Sequence, residues 1–312
     1  MPRAEPTLEA FSTPLARYFA ATRPAFLSVT LVGCLLGLAS AYGGGMALDP
    51  ATAFVTLFFA LVAHAGINVL NDYYDALNGS DAANAERRYP FTGGSRFIQN
   101  GLISVSATGI FGYALLMAVV PAGLWLAHAS GPGLLGIGLA GLMVGWAYSA
   151  PPFKLMSRGL GEAAVACGWL IVVLGADYVQ RGAFSSAPLV AGLPYALHVA
   201  NLLFTNQFPD VKADAAAGKR NLVVRFGPRR ARWLYPAIAA LAYLWLIGAV
   251  LTGALPVLAL VALAAAFPAL SAARVLARNA LRPAALDPAI RATLGAALMH
   301  GALLAAALLA AR

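Results

Sequence analysis

Residues 51–75 read ATAFVTLFFALVAHAGINVLNDYYD: twenty positions without Asp, Glu, Lys or Arg, followed at once by Asn71, Asp72 and Asp75. A helix of that length matches the hydrocarbon thickness of a bilayer, so the segment reads as a membrane-crossing helix that delivers acidic side chains to one membrane face. Apolar runs of similar length, punctuated by Gly, Pro or charge, recur near 25–44, 51–71, 103–127, 132–150, 160–179, 187–207, 233–252, 255–275 and 290–310. The expected fold is therefore all-α, a polytopic membrane bundle of about nine transmembrane helices. Composition points the same way. Of 312 residues, 61% are hydrophobic and 11% charged, the latter less than half the ~25% of an ordinary soluble domain. With a mean hydropathy of +0.76, a soluble globular enzyme is excluded.

The basic residues orient this bundle. With the N-terminus in the cytosol, segments 1–24, 72–102, 151–159, 208–232 and 276–289 with its flanks hold nineteen of the twenty-one Lys and Arg. The opposite face keeps only Arg181 and Arg312, as the positive-inside rule requires. The net charge of +9 thus reads as topology signal and anion-binding capacity, with no nucleic-acid partner. The expected location is the cell inner (cytoplasmic) membrane. Residues 1–24 lack a short apolar stretch with a cleavage site and read as a cytosolic leader or interfacial segment. A single transmembrane domain, 25–312, follows. Cys34 and Cys167 lie inside apolar runs without partner spacing, which argues against a disulfide framework or a zinc site.

Two cytosolic loops, 72–102 and 208–232, carry six of the twelve acids: Asp72, Asp75, Asp81, Glu86, Asp210 and Asp214. If the second span continues as a helix past the membrane, Asn71, Asp72 and Asp75 share a face. Asn206, Asp210 and Asp214 do the same after the sixth span, provided Pro209 only kinks the helix. Each cluster is followed by a basic pair, Arg87-Arg88 and Lys219-Arg220. Carboxylates and side-chain carbonyls facing each other at a bundle rim are hard oxygen ligands suited to Mg²⁺, which keeps waters and is completed by phosphate oxygens. Charge balance separates the cargoes. Five aspartates nearly neutralise two Mg²⁺, so an added diphosphate calls for Arg96, Lys154, Arg158, Lys219 and Arg220, whereas a simple cation site does not. Solvated connector charge is the bland alternative, and a transporter with a coupling-ion site the competing class. Transporters place such ions near the midplane on broken helices, whereas these acids lie at one face beside basic residues.

These residues resemble the UbiA superfamily of intramembrane aromatic prenyltransferases, whose hallmarks are NDxxDxxxD after the second helix and DxxxD after the sixth. Here the motifs are NDYYDALNGSD, from Asn71 to Asp81, and DVKAD, from Asp210 to Asp214. The similarity extends to YSAPPFK, from Tyr148 to Lys154, and to the helix count, so it covers nearly the whole chain. TGGSR from Thr92 to Arg96, RGLGE from Arg158 to Glu162, and the run from Asp214 to Gly227 look most like the 1,4-dihydroxy-2-naphthoate polyprenyltransferase branch of menaquinone biosynthesis. The chain departs from the general pattern in placing the third acid at Asp81, in reading Asn206-Gln207-Phe208-Pro209-Asp210 where Asn-Asn-x-Arg-Asp is usual, and in Asn221 replacing Thr.

The resemblance implies a bundle around a central cavity, a polyprenyl diphosphate donor with its tail in an apolar tunnel, and a small aromatic acceptor. It implies Mg²⁺ held by Asn71, Asp72, Asp75, Asp210 and Asp214, with Asp81 as a further ligand, base or orienter. It further implies diphosphate contacts from Arg96, Lys154, Lys219, Arg220 and Asn206, then from Arg158 and Arg23. Tyr148 would contact the diphosphate or shield a cation with its ring, or serve as an interfacial belt aromatic. 4-Hydroxybenzoate, chlorophyllide-type and lipid-like acceptors stay open within the superfamily. His64, His198 and His300 fall inside spans and read as helix-to-helix hydrogen-bond partners.

Overall fold

The computed structural model describes residues 4–312; the first three residues of the expected leader, Arg3 among them, lie outside the described residues. Among the described residues every regular element is helical. The long helices are α1 (Pro24–Gly43), α2 (Pro50–Asn78), α3 (Val105–Ser130), α4 (Gly133–Ser149), α5 (Gly161–Arg181), α6 (Ala187–Ala216), α7 (Leu234–Leu251), α8 (Val257–Asn279) and α9 (Asp287–Ala310). Each expected apolar run lies on one of them. Eight are long and apolar enough to cross a bilayer, and α4, equally apolar, has 17 residues, about 25 Å. The chain is a multi-pass membrane protein.

Why the helices stop where they do is local chemistry. Asp49 caps α2 by accepting the Thr52 N–H at 2.7 Å, and Ser104 caps α3 through Ala107 N–H at 3.2 Å. Pro194 sits inside α6 and cannot bond the carbonyl of Val190, which instead accepts the Trp245 indole N–H from α7 at 3.0 Å. Helices α1, α5, α6 and α9 form the centre, with α2 paired against α3 on one side and α7 and α8 on the other. Leu36, Val173, Tyr195, Leu246, Ile290 and Leu304 are fully buried where these helices meet. At the α1–α5 crossing a Cβ on Gly37 would overlap the Val173 carbonyl and lie 2.7 Å from the Ala176 Cβ. The two backbones approach this closely only because position 37 has no side chain.

The first half of α8, Val257–Ala265, is wound as a 3-10 helix. Its sequence explains the choice. Ala259, Ala262 and Ala265 recur every third residue, each 0% exposed, and a winding of three residues per turn stacks them in one straight stripe against α9.

Two helices overrun the membrane. With 29 and 30 residues, α2 and α6 measure about 44 and 45 Å against a hydrocarbon core of ~30 Å. Their last turns carry the two acidic motifs, and α6 runs on through Pro209. The expected loops are accordingly shorter than their sequence limits: 72–102 opens with helix to Asn78, and 208–232 with helix to Ala216. The short helix Pro14–Ala21 in the leader leaves Leu15 79% and Phe19 63% exposed, an apolar face suited to the membrane interface. Ala21 packs with Phe97, Leu102 and Ile103, tying the leader to the first motif loop.

Candidate active site at the bundle rim

The overrunning ends of α2 and α6 bring both motifs to one place, and a single cation joins them. Lys219 Nζ lies 2.7 Å from Asp75 Oδ1 and 3.2 Å from Asp214 Oδ1. Burial alone would lower the Lys219 ammonium, but Asp75 and Asp214 outweigh it and hold the group above the ordinary lysine value. Asparagines orient the acids. Asn78 donates to Asp75 at 3.0 Å, Asn84 to Asp210 at 2.6 Å and Asn221 to Asp214 at 2.8 Å. Asn71 donates to Asp75 at 3.3 Å and to Ser149 at 3.1 Å, which anchors α2 to the end of α4.

Asp72 and Asp81 are held by a returning loop. Asp72 Oδ2 accepts the Ser95 N–H at 3.1 Å, and Arg96 Nη1 donates to the Asp81 carbonyl at 2.6 Å. The carboxylate oxygens Asp72 Oδ1 and Asp81 Oδ2 are buried without a hydrogen-bond partner. Burial, then the nearby Asp75 and Asp72, hold the Asp81 carboxyl well above the usual carboxylate range. Gly94, at φ +72°, passes between them; a Cβ there would overlap the Asp81 carboxylate and come within 3.1 Å of Asp72 Oδ1. Arg23 reaches in from the start of α1, donating to the Phe91 carbonyl at 3.1 Å with Nη1 4.0 Å from Asp72. Five aspartates therefore gather around Lys219, with Arg23 and Arg96 at their edge, and this excess of acidic groups favours cation uptake.

Beneath this rim lies a cavity of about 410 Å³. Asp75, Asp81, Asp210, Asp214, Lys219 and Arg23 line its mouth; Tyr148, Asn206 and Gln207 lie just inside. Deeper, the walls are Phe59, Ile67, Ile137, Trp169 and Val172, and the space reaches Leu134 and Val179. Those last residues belong to the start of α4 and the end of α5, so the cavity runs nearly the length of the bundle. Its shape suits a charged head at the rim and a long apolar tail.

A sequence model of the UbiA prenyltransferase family matches residues 26–287. The chain belongs to the UbiA prenyltransferase family. Among the relatives of this UbiA prenyltransferase is 1,4-dihydroxy-2-naphthoate octaprenyltransferase of Bacillus subtilis, 28% identical over 75% of this chain and 73% of the relative. Another is 2-carboxy-1,4-naphthoquinone phytyltransferase of Synechocystis, 30% identical over 68% of this chain and 66% of the relative. The structure of a UbiA homolog from Archaeoglobus fulgidus bound to GPP and Mg²⁺ shares the fold, with TM-score 0.57, 18% identity, and 92% and 99% of the two chains covered. The apo structure of a UbiA homolog from Aeropyrum pernix K1 has TM-score 0.65, 16% identity, and coverage of 88% and 96%.

In this UbiA prenyltransferase, Asn71, Asp75, Asp210 and Asp214 of the residues expected to hold metal line the mouth with Asp81, and the fifth, Asp72, sits beside it against Ser95 and Gly94. Of the expected diphosphate contacts, Lys219, Asn206 and Arg23 line the cavity. Arg96 is buried against Asp81 and Glu5, while Lys154, Arg158 and Arg220 are exposed around the rim. Arg158 donates to the Pro152 carbonyl, and Arg220 N–H to the Ser157 carbonyl. The donor set fits a hard divalent ion. Among the described residues no three His, Cys, Asp or Glu close into a ready-made ion site. The unpartnered oxygens of Asp72, Asp81 and Asn206 offer instead the partial shell that Mg²⁺ completes with water and substrate oxygens.

Sequence reading assigned no orienting role to Ser95 and Asn221, although both fall in its motifs, and none to Asn84 or to Glu5, which accepts from Arg87 at 2.6 Å. Glu162, read only as the end of RGLGE, was likewise given no role, although a lone acid in the first turn of an apolar helix was the available signal. Gly94→Ala is expected to displace Asp81 and Asp72 together and lower the rate of prenyl transfer by roughly 100-fold, as an ångström of misplacement does. Initial rates at saturating substrates, with an unchanged size-exclusion profile, check this.

Proposed function

We propose that the enzyme transfers a polyprenyl group from a polyprenyl diphosphate to an aromatic quinone precursor, preferably 1,4-dihydroxy-2-naphthoate, in a Mg²⁺-dependent reaction at the cytosolic face of the inner membrane. One observation carries the reading: two acidic motifs, bridged by Lys219, converge on the mouth of a cavity that is apolar along most of its length. The relatives named for naphthoate-type substrates support the acceptor. Nineteen of twenty-one basic residues on the mouth-side segments support the orientation.

The residues divide the work by position. Asn71, Asp72, Asp75, Asp210 and Asp214, with Asp81, would hold Mg²⁺ directly or through water. Bound there, Mg²⁺ supplies positive charge against the leaving diphosphate. Lys219, Arg23 and Asn206, which line the cavity, would meet the diphosphate oxygens, while Arg96, Lys154, Arg158 and Arg220 would add positive potential around the mouth. The apolar walls exclude water from the allylic carbon as its C–O bond ionises. The ring of Tyr148, which lines the cavity, would offer its π face to the allylic cation. The electron-rich ring then attacks the allylic carbon and regains its aromaticity by losing a proton or, with a naphthoate attacked at the carbon that bears the carboxylate, by losing that group as CO₂ in place of the proton.

The test is prenyl transfer by purified protein in lipid nanodiscs, with labelled polyprenyl diphosphate, 1,4-dihydroxy-2-naphthoate and 4-hydroxybenzoate in parallel, with Mg²⁺ and with EDTA. Magnesium-dependent prenylation of the naphthoate is the expected outcome. Product with 4-hydroxybenzoate alone would move the enzyme to another acceptor class, and diphosphate binding without product from either would overturn the aromatic assignment.

A further inference from the structure

A second buried polar pair lies at the cavity wall, apart from the aspartates, with Gln207 lining the cavity and Glu162 behind it. Gln207 Nε2 donates to Glu162 Oε1 at 2.6 Å, and the two residues are only 7% and 8% exposed. A carboxylate offers only acceptors, so it fixes the amide: the NH₂ turns to Glu162 and the carbonyl points away. That carbonyl oxygen, Gln207 Oε1, is buried without a hydrogen-bond partner, and Gln207 lines the cavity. Along α6 it lies three residues before Asp210, about 4.5 Å below the rim. Tyr148 and the neighbouring Asn206 line the same cavity.

The two substrates differ in what they can offer an unpaired carbonyl at that depth. A polyprenyl tail has no donor, and an ionised diphosphate has only acceptors. A ring hydroxyl can donate. The acceptor ring must also lie within bonding distance of the allylic carbon beneath the diphosphate, which is the level Gln207 occupies. We propose that Gln207 Oε1 accepts a hydrogen bond from a ring hydroxyl of the acceptor, with Glu162 as the positioning residue that holds the amide in this sense. The inference rests on the reaction proposed above and adds its acceptor contact. A site with a fixed buried acceptor selects hydroxyarenes and rejects the same ring lacking the O–H, because the carbonyl is then left unpaired.

The experiment compares 1,4-dihydroxy-2-naphthoate with its two monomethyl ethers as acceptors for the full-length enzyme in nanodiscs. For the wild type, one ether is expected to raise the acceptor KM about tenfold. Gln207→Leu is expected to raise the KM of the dihydroxy compound by a similar factor and to abolish discrimination against that ether. The KM for polyprenyl diphosphate should stay within about twofold, which reports an intact fold and rim. Glu162→Leu should match Gln207→Leu, and Glu162→Gln, which still presents a carbonyl to the amide, should restore most of the acceptor affinity. Unchanged discrimination in Gln207→Leu, or no ether effect in the wild type, would overturn this contact alone. No product from any hydroxyarene with the wild type would overturn the underlying reaction, and the contact with it.

Discussion

Asp75→Ala is expected to lower prenyl transfer by at least about a thousandfold, the scale of losing a principal electrostatic contact in a water-poor site. Asp75 is where the rim's interactions cross. It accepts from Lys219 at 2.7 Å, from Asn78 at 3.0 Å and from Asn71 at 3.3 Å, and it lines the cavity mouth. Without it, α2 presents no acid to Lys219, and the first motif loses its link to the second. Lys219→Met should behave differently, raising the KM for the diphosphate while preserving the requirement for metal. Parallel rate measurements across a Mg²⁺ series separate the two. An Asp75→Ala enzyme with near-normal rates would remove the rim from the chemistry.

The largest stability effect is expected at the opposite end of the bundle. Asp177 is fully buried and accepts from Arg181 Nε at 2.7 Å and Nη2 at 2.8 Å. Arg181→Leu leaves that carboxylate buried without its partner, and breaking a buried pair from one side costs about 3–5 kcal/mol. The apparent melting temperature in detergent should fall by roughly 10 °C. Asp177→Asn combined with Arg181→Leu should recover most of the loss, since the stranded charge is then gone. Fluorescence-detected size-exclusion melts of the two variants decide it. A single variant as stable as the wild type would mean that water reaches Asp177.

Much of this molecule is legible in its sequence because the membrane makes the pattern simple. Uninterrupted apolar runs announce the helices, and the motif acids stand out against a chain with 11% charged residues. Less legible was where α2 and α6 end. Hydropathy marks the edge of the hydrocarbon, whereas helix termini follow caps such as Gly79, at φ +82°, well beyond it. The rim's basic residues illustrate a different limit. Lys219, Arg220 and Arg96 look equivalent in a list of charges, yet only Lys219 points between the motifs. Burial and loop return decide that, and neither leaves a local signature. Glu162 and Asp177 are single acids in apolar helices; Arg181, one turn after Asp177, is legible from helical spacing, whereas Gln207, 45 residues from Glu162, follows only from the packing.

The stretch Val257–Ala265 also acts as a screw. A 3-10 winding advances ~120° and ~2.0 Å per residue, an α winding ~100° and ~1.5 Å. Rewinding its nine residues as α-helix would rotate everything beyond Ala265 by about half a revolution and draw it in by about 4.5 Å. Leu276, now fully buried, would turn outward, and Arg274 and Arg278, now exposed, would face the bundle. The alanine stripe therefore sets the azimuth of the whole second half of α8. Its pitch and the facing of Arg274 and Arg278 are locked to one another.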